Sequence, residues 1–183
     1  MYEEIIMAGF GGQGVIFMGK LLAYLGMREG HEVTFIPSYG AEVRGGTANC
    51  TVIISSEEIA SPLAPHPSTT IVMNKPSLDR FEPLLKRKGL LIINSSLISR
   101  EPYRDDLEIM EIPATGIATE SGNPKVANMV TLGAYLARKK IVTLEAALNH
   151  LQDVLPPRSH HLLEINKEAL KKGAELALTS LGN

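Results

Sequence analysis

The sequence predicts one α/β domain, Rossmann-like and three layers deep, with a largely parallel sheet and a helical C-terminal third. Three observations point there. Short apolar runs of strand length alternate with stretches of helical periodicity through the first two thirds of the chain. Four glycines fall within the six residues 9–14, between the first such run and the first helical stretch. From Asn123 onward the apolar spacing is helical. At 183 residues the chain suits a single domain spanning residues 1–183, given the usual ~100–200 residues per domain.

The elements follow in order. "EEIIMAGF" reads as a strand buried on both faces, and Gln13 to Arg28 as a helix with Val15, Met18, Leu22 and Leu25 on its inner side. Gly30 ends that helix, and "HEVTFIP" is a second strand. "SYGAEVRGG" is a glycine-rich loop, and Thr47 to Ser55 a third strand. "SPLAPHPS" carries three prolines in eight residues and reads as a rigid loop. "TTIVMN" and "GLLIINS" are two further strands, separated by a short helix around Leu78 to Lys86, and "LEIMEIP" is a sixth. Asn123-Pro124 is a helix start, with Asn as cap and Pro at the first helical position. Val126, Met129, Val130, Gly133 and Leu136 continue it. Thr143 caps another helix that stops at Pro156-Pro157, and Leu162 to Leu178 forms a last amphipathic one.

Composition excludes several functions. With 18 basic against 20 acidic residues the net charge is −2, which leaves no electrostatic footprint for nucleic acid. The start is acidic where a secretory signal is positive. The least charged early stretch, Ile5 to Gly19, falls short of the ~20 apolar residues of a membrane helix. We expect a cytoplasmic protein without membrane contact. Cys50 is the single cysteine, so the chain supplies neither an internal disulfide nor the thiolates of an iron–sulfur cluster. Its alternating surroundings, "TANCTVIIS", predict a buried strand thiol. His160 and His161 are adjacent and the other histidines scattered, so no metal-ligand spacing is present.

Two stretches remain as candidate sites. Gly9, Gly11 and Gly14 match G-x-G-x-x-G between a strand and a helix, where free N–H groups and the helix dipole favour an anion. A dinucleotide site also needs an acid about 20 residues on, at the end of the second strand. That strand ends "TFIPSYG", with Glu32 at its wrong end, which argues against NAD. A tight packing turn, a different phosphate and a partner's backbone stay open as readings of Gly11, Gly12, Gln13 and Gly14. The second stretch, Tyr39 to Gly46, holds an aromatic, an acid, an arginine and three glycines in eight residues. It leaves the same sheet edge and should neighbour the first. Arg44 beside Gly45 and Gly46 would offer a planar fork to a carboxylate or phosphate, against a plain surface turn in which Arg44 pairs with Glu42. No nucleophile–base pair is recognisable, so the site reads as one that holds something.

Taken together, "AGFGGQGV", "YGAEVRGGTANCTVIIS", "GNPKVANMVTLGAYL" and "LLEINKEALKKGAELA" resemble the gamma subunit of 2-oxoacid:ferredoxin oxidoreductases, the family acting on pyruvate, ketoisovalerate and 2-oxoglutarate, across essentially the whole chain. The resemblance implies CoA-dependent oxidative decarboxylation of a 2-oxoacid by a complex carrying thiamine diphosphate and iron–sulfur clusters, with ferredoxin as electron acceptor. It places the thiamine diphosphate on alpha and beta subunits, and clusters on beta or a delta subunit. For this chain it implies no cofactor of its own, no catalytic residue, and no activity alone. It makes Gly11 to Gly14 a CoA-phosphate or partner contact, and Tyr39, Gly40, Glu42, Arg44, Gly45, Gly46, Asn123 and Asn128 residues near the interface and active site. Among oxoacids, 2-oxoglutarate is the expectation and an indolepyruvate enzyme a relative; a free-standing nucleotide- or CoA-binding module is the alternative.

Overall fold

The computed structural model describes residues 1–40 and 46–180. β1 (Tyr2–Phe10), β2 (Glu32–Tyr39), β3 (Thr47–Ser55), β4 (Thr69–Val72), β5 (Leu90–Asn94) and β6 (Glu108–Ile112) form one sheet in the order β2-β3-β1-β4-β5-β6. β1, β4, β5 and β6 pair in parallel; β3 runs antiparallel to both β1 and β2. The sheet is therefore mixed and mostly parallel in direction. The apolar runs identify the strands, but not that β3 inserts between β1 and β2.

That insertion corrects one step of the sequence argument. The strand after the first helix is not the parallel neighbour of β1; that place belongs to β4, which follows β1 in register from Ile5↔Thr69 to Ala8↔Val72. Met73 and Asn74 follow β4, again no acid.

One face of the sheet carries most of the core. Ile5, Met7, Cys50, Val52, Ile71, Ile92 and Met110 pack beneath α1 (Val15–Arg28), α4 (Ala127–Lys139), α5 (Leu144–Val154) and α6 (Leu163–Ser180). On the other face α2 (Lys75–Phe81) and its 3-10 extension Glu82–Leu84 cover Ile6, Ala8, Val72 and Leu91. α2 begins earlier than the expected Leu78, because Asn74 accepts the Ser77 N–H at 2.9 Å and Pro76 lies in the first turn. α3 (Ala114–Glu120) has no counterpart in the sequence reading; its threonines, isoleucine and glycine are weak helix formers. Asn94 supports it from β5, donating to Thr115 Oγ1 at 2.8 Å. Thr143 caps α5 as expected, accepting the Ala146 N–H at 3.0 Å.

α4 and α6 cross with their backbones almost touching. A Cβ on Gly133 would lie 2.0 Å from the Leu170 carbonyl oxygen, and one on Gly173 1.8 Å from that of Val130. Only glycine fits at either position. On the outer layer, buried Glu82 holds the chain that runs from β5 to β6. It accepts the Arg104 N–H at 2.9 Å and an Arg100 N–H at 2.8 Å, and it also bonds Tyr103 N.

Candidate functional site

The site is built from the carboxyl ends of β1, β4 and β5. After β1 the chain crosses through α1 toward β2, and after β4 it crosses through α2 toward β5, so the connections diverge between β1 and β4. Open α/β sheets bind ligands at such a divergence.

The glycine turn follows β1 directly. The Gln13 N–H donates to the Phe10 carbonyl at 3.1 Å, closing a turn with Gly12 at φ 101°. Gly14 is the N-cap of α1 at φ 73°, a left-handed conformation that glycine adopts without penalty. It is also constrained sterically, since a Cβ there would lie 2.4 Å from Asn128 Nδ2. No side chain caps α1, and its first turn holds no acid. Among the described residues, the N–H groups of Gly12, Gly14, Val15, Ile16 and Phe17 have no acceptor. They are the helix-terminal donors that an anion satisfies.

Gln13 wires this turn to the next strand. Its Oε1 accepts the Phe10 N–H at 2.7 Å and Asn74 Nδ2 at 3.2 Å, while its Nε2 donates to the Met73 carbonyl at 3.1 Å. The Gln13 side chain is thus committed inside the chain, as the fixture that holds the turn. Asn74 and Asn94 act alike at the ends of β4 and β5, each buried and each fixing the start of the following helix. The sequence reading passed over both; the Asn-x-Pro pattern at Asn74 was the available signal.

Asn128 is 4 % exposed and donates from Nδ2 to the Gly14 carbonyl at 3.1 Å, so it braces the turn from behind. Asn123 caps the 3-10 turn Pro124–Val126, accepting the Lys125 N–H at 3.1 Å. This brings Lys125 to the rim of a cavity of about 210 Å³ whose walls include Gly12, Met73, Leu97, Thr115 and Pro124. Among the described residues, no acid, histidine or cysteine lines it. Free N–H groups, an ammonium and an apolar floor suit an anionic ligand with an apolar body, and the described residues offer no base for proton abstraction.

The second stretch meets the first as expected. The Gly11 N–H donates to the Gly46 carbonyl at 2.9 Å, and the Gly40 N–H to Thr47 at 2.7 Å. Tyr39, at the end of β2, is 70 % exposed. Glu42, Arg44 and Gly45 lie outside the described residues.

Cys50 lies under the site and takes no part in it. Its Sγ donates to the Val15 carbonyl at 3.4 Å, and burial pushes the thiol up to about 12. Among the described residues no group of three His, Cys, Asp or Glu side chains could hold a metal ion. No helix among them is long and apolar enough to cross a membrane.

Comparison with known proteins adds four likenesses. The family model for pyruvate ferredoxin/flavodoxin oxidoreductase matches residues 4–176. Ketoisovalerate oxidoreductase subunit VorA of Methanothermobacter marburgensis is 33% identical over 97% of this chain, but the chain spans only 37% of that protein. The gamma subunit of a keto/oxoacid ferredoxin oxidoreductase from Geobacter sulfurreducens superposes at a TM-score of 0.83 with 28% identity, covering 97% of this chain and 99% of that one. A chain of 2-oxoglutarate:ferredoxin oxidoreductase from Magnetococcus marinus, solved with 2-oxoglutarate, coenzyme A and succinyl-CoA bound, superposes at 0.88 with 26% identity. There this chain is covered to 97%, and accounts for 31% of the other.

Proposed function

The chain belongs to the pyruvate ferredoxin/flavodoxin oxidoreductase family, and from that membership we propose that it is the gamma subunit of a multi-subunit, CoA-dependent 2-oxoacid:ferredoxin oxidoreductase. The observation that carries this is its match to the Geobacter gamma subunit over nearly the whole of both chains. In this reading it packs on the thiamine-binding alpha and beta subunits, in some complexes beside a delta subunit, and shapes the CoA approach. The oxidative chemistry, the thiamine diphosphate and the iron–sulfur clusters belong to the companion chains, and ferredoxin takes the electrons through them. The oxoacid is 2-oxoglutarate, which the Magnetococcus relative holds.

The carboxyl edge is the working face. The unpaired N–H groups of Gly12, Gly14 and Val15 take the diphosphate of CoA, with Lys125 adding charge at the rim. Gly11 and Gln13 hold that turn in shape. The Tyr39–Gly46 stretch, Arg44 included, meets the companion chains, while Asn128 braces the glycine turn from behind and Asn123 caps the turn that carries Lys125.

The test is reconstitution. The purified chain is expected to reduce no dye with 2-oxoglutarate and CoA, and activity is expected when alpha and beta chains are added. Turnover by the chain alone overturns the proposal, as does full activity of the companion chains without it. Preference for ketoisovalerate would move the substrate and leave the subunit role standing. Tight CoA binding by a chain that joins no partner would favour a free-standing binding module instead.

A further inference from the structure

The glycine turn cannot hold its own shape. Gly12 and Gly14 both take positive φ, 101° and 73°, and neither carries a side chain that packing could grip. Donors bind an anion well only when they are already aimed, since ordering them on binding costs affinity. The single side chain between these two glycines is that of Gln13, which lies over Gly9: a Cβ there would meet Gln13 Oε1 at 2.7 Å. Which way the Gln13 amide faces therefore decides how the turn is held.

Asn74 decides it. The residue is 3 % exposed, joined to Met73 by the peptide bond and to Gln13 by a hydrogen bond, and both of those line the cavity. Its Oδ1 is taken by the Ser77 N–H at 2.9 Å, as the cap of α2. Only its Nδ2 is left for Gln13, and it donates to Oε1 at 3.2 Å. With Oε1 turned toward Asn74 and the Phe10 N–H, Nε2 faces the Met73 carbonyl at 3.1 Å. A flipped Gln13 amide would set donor against donor at Asn74 and carbonyl against carbonyl at Met73. The Met73 N–H in turn donates to the Ala8 carbonyl at 2.8 Å, which ties this corner to β1. One buried amide thus links the helix on the outer face of the sheet to the turn that opens the helix on the inner face.

We propose that Asn74 is a positioning residue for CoA: by fixing the Gln13 amide it aims the N–H groups of Gly12, Gly14 and Val15 at the diphosphate. This rests on the function proposed above and adds to it a residue that touches no ligand.

The test keeps the α2 cap and removes the link. Asn74→Ser caps a helix as well as asparagine but is too short to reach Gln13. Each variant is melted alone and then reconstituted with alpha and beta chains, with CoA and the oxoacid varied in turn. Asn74→Ser is expected to melt like wild type and to raise the KM for CoA about fivefold, the effect of one hydrogen bond. The kcat and the KM for the oxoacid are expected to stay unchanged, a split that loss of folded protein would not produce. In a Gln13→Met background the same substitution is expected to add nothing, because the two residues act as one unit. If Asn74→Ser melts lower, Asn74→Asp, which also caps but sets an acceptor against Gln13 Oε1, is read in its place. An unchanged KM for CoA, or an equal rise with and without Gln13, overturns the inference. If Lys125→Glu still raises that KM, the CoA edge stands without Asn74; if it does not, both fall.

Discussion

Gly173→Ala sets helix propensity against packing in the middle of α6. Propensity alone favours alanine by about 1 kcal/mol. The structure opposes it: the new Cβ would lie 1.8 Å from the Val130 carbonyl oxygen, 2.7 Å from its carbon and 3.1 Å from the Ala134 nitrogen. A carbon rests no nearer than about 3.3 Å to an oxygen, so the crossing must open by roughly 1.5 Å. All three contacts are backbone, so no rotamer change relieves the clash. The seam that opens holds Val130, Ala134, Ala169, Leu170 and Ala177, all buried. Overpacking costs about 1–3 kcal/mol, and contact with backbone on a closed seam places this site at the upper end. Net of propensity, the loss is about 2 kcal/mol. With a urea slope of about 2 kcal/mol/M, the unfolding midpoint followed by circular dichroism should fall by about 1 M. A midpoint equal to or above that of wild type would refute the close-packed crossing. Gly133→Ala, with its Cβ 2.0 Å from the Leu170 carbonyl oxygen, should behave alike.

Glu82→Ala should cost about 3–5 kcal/mol in chemical denaturation, because it strips a buried carboxylate from Arg100 and from two backbone N–H groups. A loss under about 1 kcal/mol would show that the β5–β6 connection is held otherwise. Native Cys50 should resist Ellman's reagent at pH 8, where a thiol at about 12 is ionised in roughly one molecule in ten thousand; one thiol should react on addition of denaturant, and prompt native reaction would contradict the burial. Asp106 and Asp153 are held below the usual carboxylate range, first by the Arg104 hydrogen bonds and by the His150 hydrogen bond respectively. Their depressed values make their stabilisation complete above about pH 5 and lost as pH falls through 4 and below. The difference in melting temperature between wild type and Asp106→Asn should accordingly vanish by about pH 2, and a constant difference would exclude the ion pair as its source.

The strands and long helices were legible because burial leaves apolar runs in the sequence. β1 and β5 are buried along their length and read so directly. Pairing partners leave no such local mark. The register of β3 against β1, from Tyr2↔Ser55 to Phe10↔Thr47, is satisfied by side chains that would suit a parallel neighbour equally. α3 was missed because its stability comes from Asn94 and the helices around it rather than from its own residues. At the site, the glycines announced a turn, and Gly11 meeting Gly46 followed from the shared sheet edge. The bracing of that turn did not follow. Gln13, Asn74 and Asn128 are polar residues whose partners lie more than 50 positions away in three of the bonds concerned, and no spacing encodes such contacts.

Whether the carboxyl edge of the sheet serves CoA is tested most directly at Lys125. Lys125→Glu reverses the charge at the cavity rim, on a side chain without an ion-pair partner among the described residues. Steady-state kinetics of the reconstituted complex, with CoA and the 2-oxoacid varied in turn, should show the KM for CoA raised by about tenfold, the effect of one charge-assisted contact at about 1.5 kcal/mol. The KM for the oxoacid should stay unchanged. A complex that assembles with Lys125→Glu and keeps its KM for CoA would contradict the assignment of this edge.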